Sequence, residues 1–329
     1  MKICALLLAA LTVSEAVADD AAIKAKPPAI LWQAPEKITL QDWIWGPGGR
    51  DQAPRPPYEF IEEDGNGTNA KIRVRDSAGN QWTVKFGGEI HSDVFAARML
   101  NAMGYLAEPT YFVASGVVTG AHDLRRAKPF LDKDGKFFRA RFKLRDKKSL
   151  THVADQDWSW IDNPFAGSHE LSGLKIMLML MSNWDAKDSR DGKGSNTAIY
   201  STKGTNSHLI YAFDDWGATM GKWGGFFKRD KWNPDGYTAQ SKNFVTNVSG
   251  RGIRWGYQGK HGKDVTSGIA AADVAWLMTY LSRVTDADLQ AGLRASGATE
   301  EQIRAYSSAL RERITQLQKV STATVASAR

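Results

Sequence analysis

The sequence predicts an α+β protein of two lobes, a small antiparallel β lobe followed by a larger, mainly helical lobe. Two observations carry this. Between residues 58 and 86, short segments alternate apolar and polar residues and are separated by Gly/Asn turns, the period-2 pattern of half-buried strands. From residue 169 onward, long stretches carry apolar residues at helical spacing. With 329 residues, 42% of them hydrophobic, and 12 tryptophans, the chain can build a core in each lobe and is globular in composition.

Residues 1–18 read as a secretory signal: Lys2, the apolar run "ICALLLAALTV", then small residues in "EAVADD" that suit cleavage after Ala18. The expectation is export, to the periplasm or beyond. The only cysteine, Cys4, leaves with that segment, so the mature chain has neither disulfides nor thiol chemistry. No later run reaches the roughly 18 apolar residues of a membrane span. Residues 19–56, rich in Pro and Gly, are expected to form an extended arm that packs through Trp32, Trp43 and Trp45.

The β lobe, residues 57–150, opens with "YEFIEED", "AKIRVRD" and "QWTVKF", three strands joined by the turns "GNGTN" and "SAGN" in an antiparallel meander. A helix follows at "SDVFAARMLNAMG", with Phe95, Met99 and Ala102 on one face, Ser92 as its cap and Gly104 just past its end. Two more strands are expected at "TYFVASGVV" and "FFRARFKLR". The second sets Phe138, Ala140, Phe142 and Leu144 against Arg139, Arg141, Lys143 and Arg145, so its polar side is either an anion-binding stripe or a solvated face.

In the helical lobe, residues 151–320, "HELSGLKIMLMLMSNW" is apolar nearly all round, as a buried central helix is. Three more helices follow at "AAADVAWLMTYLSR", "TDADLQAGLRAS" and "TEEQIRAYSSALRERITQLQ", the last opened by Thr299 and Gln302 at capping-box spacing. Residues 321–329 read as a frayed tail.

A net charge of +7 suits acidic partners or simply solubility. Without zinc-finger spacing or a nucleic-acid motif, nucleic acid is not an expected partner. Several residues fall in the order that phosphoryl transfer requires. Gly65 and Gly67 in "GNGTN" would let backbone N–H groups approach phosphates. Lys85 ends the third strand, and Asp93, eight residues on, can reach back to pair with it, with Glu89 as the alternative partner. Asp185 directly follows the buried helix, where a general base for a substrate hydroxyl would sit. Lys187 would neutralise charge on the transferred group. Asn196 and Asp215 offer the oxygen ligands that Mg²⁺ prefers, with Asp188 as an alternative base and Asp214 as an alternative metal ligand. Each feature has a plainer reading, such as a hairpin turn, a solvated lysine or a first-turn aspartate on a helix dipole. The six histidines show no paired metal-ligand spacing and read as structural.

"VKF", "NWDAKD…N" and "DWGATMG" together resemble the protein-kinase-like superfamily, in which a strand Lys, a catalytic-loop D-x-x-x-x-N and a D-x-G occur in this order. The last piece is closer to the D-F-G-H-x-x-G of phosphatidylinositol kinases. "VKFGGEIHSDVFAARMLNAMGY" is similar to the bacterial toxin-type serine kinases, and the chain resembles more closely a group of uncharacterised exported bacterial proteins with "GTN…VKL…GY…NWDLKDEN…DLGASFG" patterns. The resemblance implies a kinase-like fold over residues 58–320, with Mg²⁺ and ATP or another nucleoside triphosphate. It puts Lys85 on the phosphates with Asp93 as its partner, Asp185 as base, and Asn196 and Asp215 on metal. The acceptor would be a hydroxyl on a protein, a glycan or a lipid head group.

Two departures stand out. Asn183-Trp184 replaces the His-Arg of protein kinases. The loop asparagine expected at position 190 is Arg190, and the first Asn is Asn196. "RDGKGS" is then an insertion that either loops out at little entropic cost or marks a lost metal site. "GKWGGFFKRDKWNPDGY" stands where an activation segment would, to hold substrate or to pack on the core. A non-enzymatic binding or scaffold module, and nucleotidyl transfer on the same scaffold, are the alternatives.

Overall fold

The computed structural model describes residues 27–327 except 66, 68, 146–148, 193, 205, 226, 250 and 251, with side chains up to residue 322. The expected signal segment lies outside the described residues. In chain order the elements are β1 (Ala29–Ile30), α1 (Leu40–Trp45), β2 (Tyr58–Glu63), β3 (Lys71–Arg75), β4 (Gln81–Lys85), α2 (Ile90–Ala102), β5 (Thr110–Thr119), β6 (Lys136–Leu144), β7 (Leu150–His152), α3 (His169–Leu180), β8 (Thr197–Thr202), β9 (Leu209–Phe213), α4 (Pro234–Ser241), β10 (Val245–Ser249), β11 (Gly252–Trp255), α5 (Gly262–Thr266), α6 (Ala271–Leu281), α7 (Asp286–Ala295) and α8 (Glu300–Ser327). The two-lobed α+β architecture is the one the sequence predicts. Among the described residues, no helix is long and apolar enough to cross a membrane.

The meander closes into a barrel in the order β2-β3-β4-β6-β5. Alternation buries Ile72, Val74, Trp82, Val84 and Phe142 inside it. Closure comes from a pairing that no turn announces: β2 runs parallel to β5, with Tyr58 opposite Val118, and so removes exposed sheet edges. On β6 the expected face is corrected. Phe138 is 64% exposed while Phe137 is fully buried, because the ladder skips Arg139, whose φ is 56°, between Ala140 and Phe138. The register with β5 is the same on both sides of Arg139, so its left-handed backbone, and not an inserted residue, turns the side chains before it to the other face.

Helix α2 starts two residues earlier than expected, and Ser92 does not cap it. The buried Ser92 hydroxyl instead donates to the carbonyls of Glu89 and Gly217, each at 3.1 Å, and pins the helix to the helical lobe. The arm before the barrel is also more structured than its composition suggests. A Thr39/Asp42 capping box starts α1. Trp43 is buried in the large core and Trp45 packs on the barrel core. Trp32 Nε1 donates to the Met103 carbonyl at 2.6 Å. Strand β1 adds in parallel to β9 in the sheet β1-β9-β8-β7. The arm therefore belongs to both lobes.

The helical lobe packs around α3, whose residues Ile176 to Leu180 are all completely buried. Thr299 and Gln302 form the expected reciprocal bonds at the start of α8, and that helix continues to Ser327 through most of the segment expected to fray. Its Arg313 is wholly buried and, among the described residues, has no carboxylate partner. The guanidinium donates to the Leu180 carbonyl and the Ser182 hydroxyl at 2.8 Å, to the Ser241 hydroxyl at 2.8 Å, and to the Tyr237 carbonyl at 3.1 Å. It also lies 3.8 Å from the Tyr237 ring centre. Burial pulls its pKa down to about 10, which leaves it charged at neutral pH. Arg313 thus orders the chain just where α3 ends and the "NWDAKD" segment begins.

Replacing Arg313 by Met should remove this fork and leave several buried acceptors unpaired, lowering stability by about 3 kcal/mol or more in chemical denaturation. Arg313→Lys should recover only a small part, since an ammonium cannot span the same acceptors. Wild-type stability in the Met variant would show that the network contributes nothing.

Candidate active site

Between the lobes lies a cleft of about 280 Å³. The barrel lines it with Lys71, Lys85, Arg141 and Lys143, α2 with Asp93, and the helical lobe with Asn196, Asp214 and Asp215. Gly67 stands at the cleft, but Gly65 does not line it, and the Gly65 carbonyl is taken by Arg126 Nη1 at 2.9 Å.

Lys85 is 6% exposed and meets both of its candidate partners, Glu89 Oε2 at 2.5 Å and Asp93 Oδ2 at 3.1 Å. The same Asp93 oxygen is 3.3 Å from Arg141 Nη2. Burial by itself would lower the Lys85 pKa, but Asp93 and then Asp215 outweigh it and raise it. Burial works the other way on Glu89, where Lys85 and Lys231 prevail and hold the carboxyl down at about 2. Asn69 Nδ2 donates to Glu89 Oε2 at 2.6 Å, and Lys231 closes on its other oxygen. The glycine of "DWG" follows from this crowding. A Cβ at Gly217 would lie 2.5 Å from Glu89 Oε2, so only glycine lets the two segments close.

Asp185 stands just behind the cleft lining. Its backbone N–H donates to Asn183 Oδ1 at 3.0 Å, and its Oδ2 accepts from Lys187 Nζ at 2.9 Å. Asn196 Nδ2 donates to the Asp185 carbonyl at 2.6 Å and lies 3.3 Å from Asp185 Oδ2. Asn183 Nδ2 reaches the Asp215 carbonyl at 3.0 Å, while the Asp214 N–H meets the Asn196 carbonyl at 2.8 Å. These bonds join the "NWDAKD" loop, Asn196 and the "DDWG" segment into one unit.

The insertion does not simply loop out. Asp188 is completely buried, accepts from the Trp160 N–H at 2.9 Å and from Arg190 Nη2 at 2.7 Å, and so cannot serve as the alternative base. Arg190 also bridges to Asp264 at 2.8 Å, and Asp191 to His261 at 2.6 Å and Lys260 at 2.7 Å. The inserted residues are clamped on the start of α5, and the chain returns from them to put Asn196 beside Asp185. Asp188, Asp191 and His261 converge as a metal site would, but Arg190 and Lys260 already neutralise both carboxylates.

At Asp215, Oδ1 accepts from the Gly217 N–H at 2.9 Å, and Oδ2 has no hydrogen-bond partner among the described residues. Asp214 is engaged by the Tyr200 hydroxyl. A divalent cation would fit the donor set of Asn196 and Asp215, both hard oxygen ligands on the cleft wall. In the expected activation segment, Trp223 and Tyr237 are buried core residues, Phe227 is 95% exposed, and Arg229 lies 4.8 Å over the Trp184 ring. Lys71, Arg141, Ser92 and Asn183 also belong to the site, although no motif in the sequence marks them. The signal for Arg141 was present in the basic side of β6, and for Lys71 in the alternation of β3.

No family model matches the chain, and no curated protein matches it. Among solved structures, the chain is similar to the Golgi casein kinase with Mn/ADP bound, at 9% identity and a TM-score of 0.41, over 86% of this chain and 74% of that one. A second structure of the Golgi casein kinase matches at 9% identity and a TM-score of 0.38, over 86% of this chain and 82% of that one. Likenesses this distant say nothing about chemistry.

Proposed function

We propose that this chain is an exported, kinase-like phosphotransferase that moves a phosphoryl group from a nucleoside triphosphate to a hydroxyl acceptor. One observation supports the reading above the rest: Lys85 with Asp93, Asn196 and Asp215, drawn from separate elements of both lobes, line one cleft, and Asp185 is hydrogen-bonded to Asn196 behind it.

Lys85, held charged between Glu89 and Asp93, contacts the nucleotide phosphates. Asn196 and Asp215 would hold Mg²⁺, which when bound would neutralise phosphate charge. Asp185, steadied by Lys187 and Asn196, accepts the proton of the acceptor hydroxyl. As that oxygen forms its bond to the terminal phosphorus, the bond to the nucleoside diphosphate breaks and its electron pair leaves with the diphosphate. The acceptor is a protein, glycan or lipid head-group hydroxyl.

Thermal unfolding with and without Mg²⁺-ATP tests the site. Ligand at about a hundred times its Kd should add roughly 2.7 kcal/mol to native stability, and Asp215→Ala should abolish the metal-dependent part. An absence of any shift with nucleotides would refute the reading. Asp185→Asn should keep nucleotide affinity while slowing transfer by about 10²–10⁴-fold, the loss of a general base. Undiminished turnover in that variant would remove Asp185 from the role.

A further inference from the structure

The wall of the cleft formed by the barrel is dominated by cations. The side chains that β3, β4 and β6 turn toward it are Lys71, Lys85, Arg141 and Lys143, and none is apolar. Three of them form a row across the sheet, because Lys71 is the cross-strand partner of Lys85 and Lys85 that of Arg141. At about 4.8 Å between neighbouring strands, the row is about 10 Å long. Apolar side chains reach the cleft only from its other walls, as with Leu100, Leu106 and Phe213. A flat base would find no apolar side chain on the wall made by β3, β4 and β6.

The two outer members of the row are less fully paired than Lys85. Arg141 has a side chain only 7% exposed, yet its single ion pair is the one shared with Lys85 at Asp93, and its buried Nε has no hydrogen-bond partner among the described residues. A guanidinium carries five donors. Lys71 pairs with Asp64, 3.8 Å away. Burial, together with repulsion from Lys85 and Arg141, holds the Lys71 ammonium below its ordinary range, and Asp64 compensates only in part.

We infer that Lys71, Lys85 and Arg141 form a ladder for an oligophosphate chain, so that the cleft recognises its donor by the phosphates and discriminates little among bases. The ligand chemistry is a magnesium-bound triphosphate, either carried by a nucleoside or free. The inference rests on the proposed phosphotransferase reading and extends it to residues outside the resemblance.

Calorimetric titration of the whole chain in the presence of Mg²⁺ tests it with four probes: ATP, GTP, inorganic tripolyphosphate and adenosine. The expected result is that the three triphosphates bind within about tenfold of one another, about 1.4 kcal/mol, and that adenosine does not compete. Lys71→Met and Arg141→Met should each weaken all three by about tenfold or more, as loss of a charge-assisted phosphate contact does. Because Arg141 is buried and its variant can fail to fold, the half-buried Lys71 gives the independent check. ATP binding more than about a hundredfold tighter than tripolyphosphate, or unchanged affinities in Lys71→Met, would overturn the ladder and leave the phosphotransferase reading standing. Binding of none of the triphosphates would overturn both.

Discussion

One carboxylate oxygen, Asp93 Oδ2, lies between two cations from neighbouring barrel strands, Lys85 and Arg141. Much of the molecule is arranged to keep it there. Helix α2 must hold its first turn against the ends of β4 and β6. The buried Ser92 hydroxyl and the Glu89 side chain then carry that turn to Gly217 and Lys231 in the other lobe. Further along the helix, the buried Arg98 donates to the carbonyls of Trp43 and Ile44 at 2.8 and 2.9 Å, so the N-terminal arm braces α2 from behind. Buried charges of this kind add little net stability, because desolvation offsets their attraction. They do make any displaced arrangement costly, since a stranded charge would remain.

The helical lobe solves a matching problem with a different residue. Its loop carries Asn183, Asp185 and Lys187 and must hold an open, irregular backbone beside a dense core. Arg313 takes up the free carbonyls at the end of α3 and spreads its charge over aromatic faces. The loop downstream is tied to Asn196 and Asp215 by its own amides and carbonyls. The inserted residues between Asp188 and Asn196 are anchored by ion pairs to the start of α5. The site is therefore supported from beneath by a guanidinium and from the side by a charge cluster.

Much of the fold could be read from the sequence because alternation and helical periodicity report which face of an element is apolar. The strands of the meander, α3 and the terminal helices follow from those patterns. What alternation leaves open is register and closure. The left-handed turn of the backbone at Arg139 and the parallel contact of Tyr58 with Val118 are set by partners that the local pattern does not show, as is the choice between Glu89 and Asp93, in which Lys85 takes both. The basic side of β6 posed a similar question: a polar strand face carries the same pattern whether it looks into water or into a charged cleft. Arg313 was less hidden. It continues the stripe of Tyr306, Leu310 and Leu317, and a charged residue on an apolar stripe must find internal partners.

The parallel contact of Ala29 and Ile30 with Leu209 and Ile210 has a consequence for how the chain acquires its shape. The first described strand can dock only after the strand leading to Asp215 exists, so the loop it closes spans both lobes. Contacts of such large sequence separation are slow to form, and their entropic cost falls before their reward arrives. The two lobes are thus separate in architecture but not in assembly. A fragment holding the barrel alone would lack the partner of its leading strand, and one holding the helical lobe alone would present β9 with an unpaired edge.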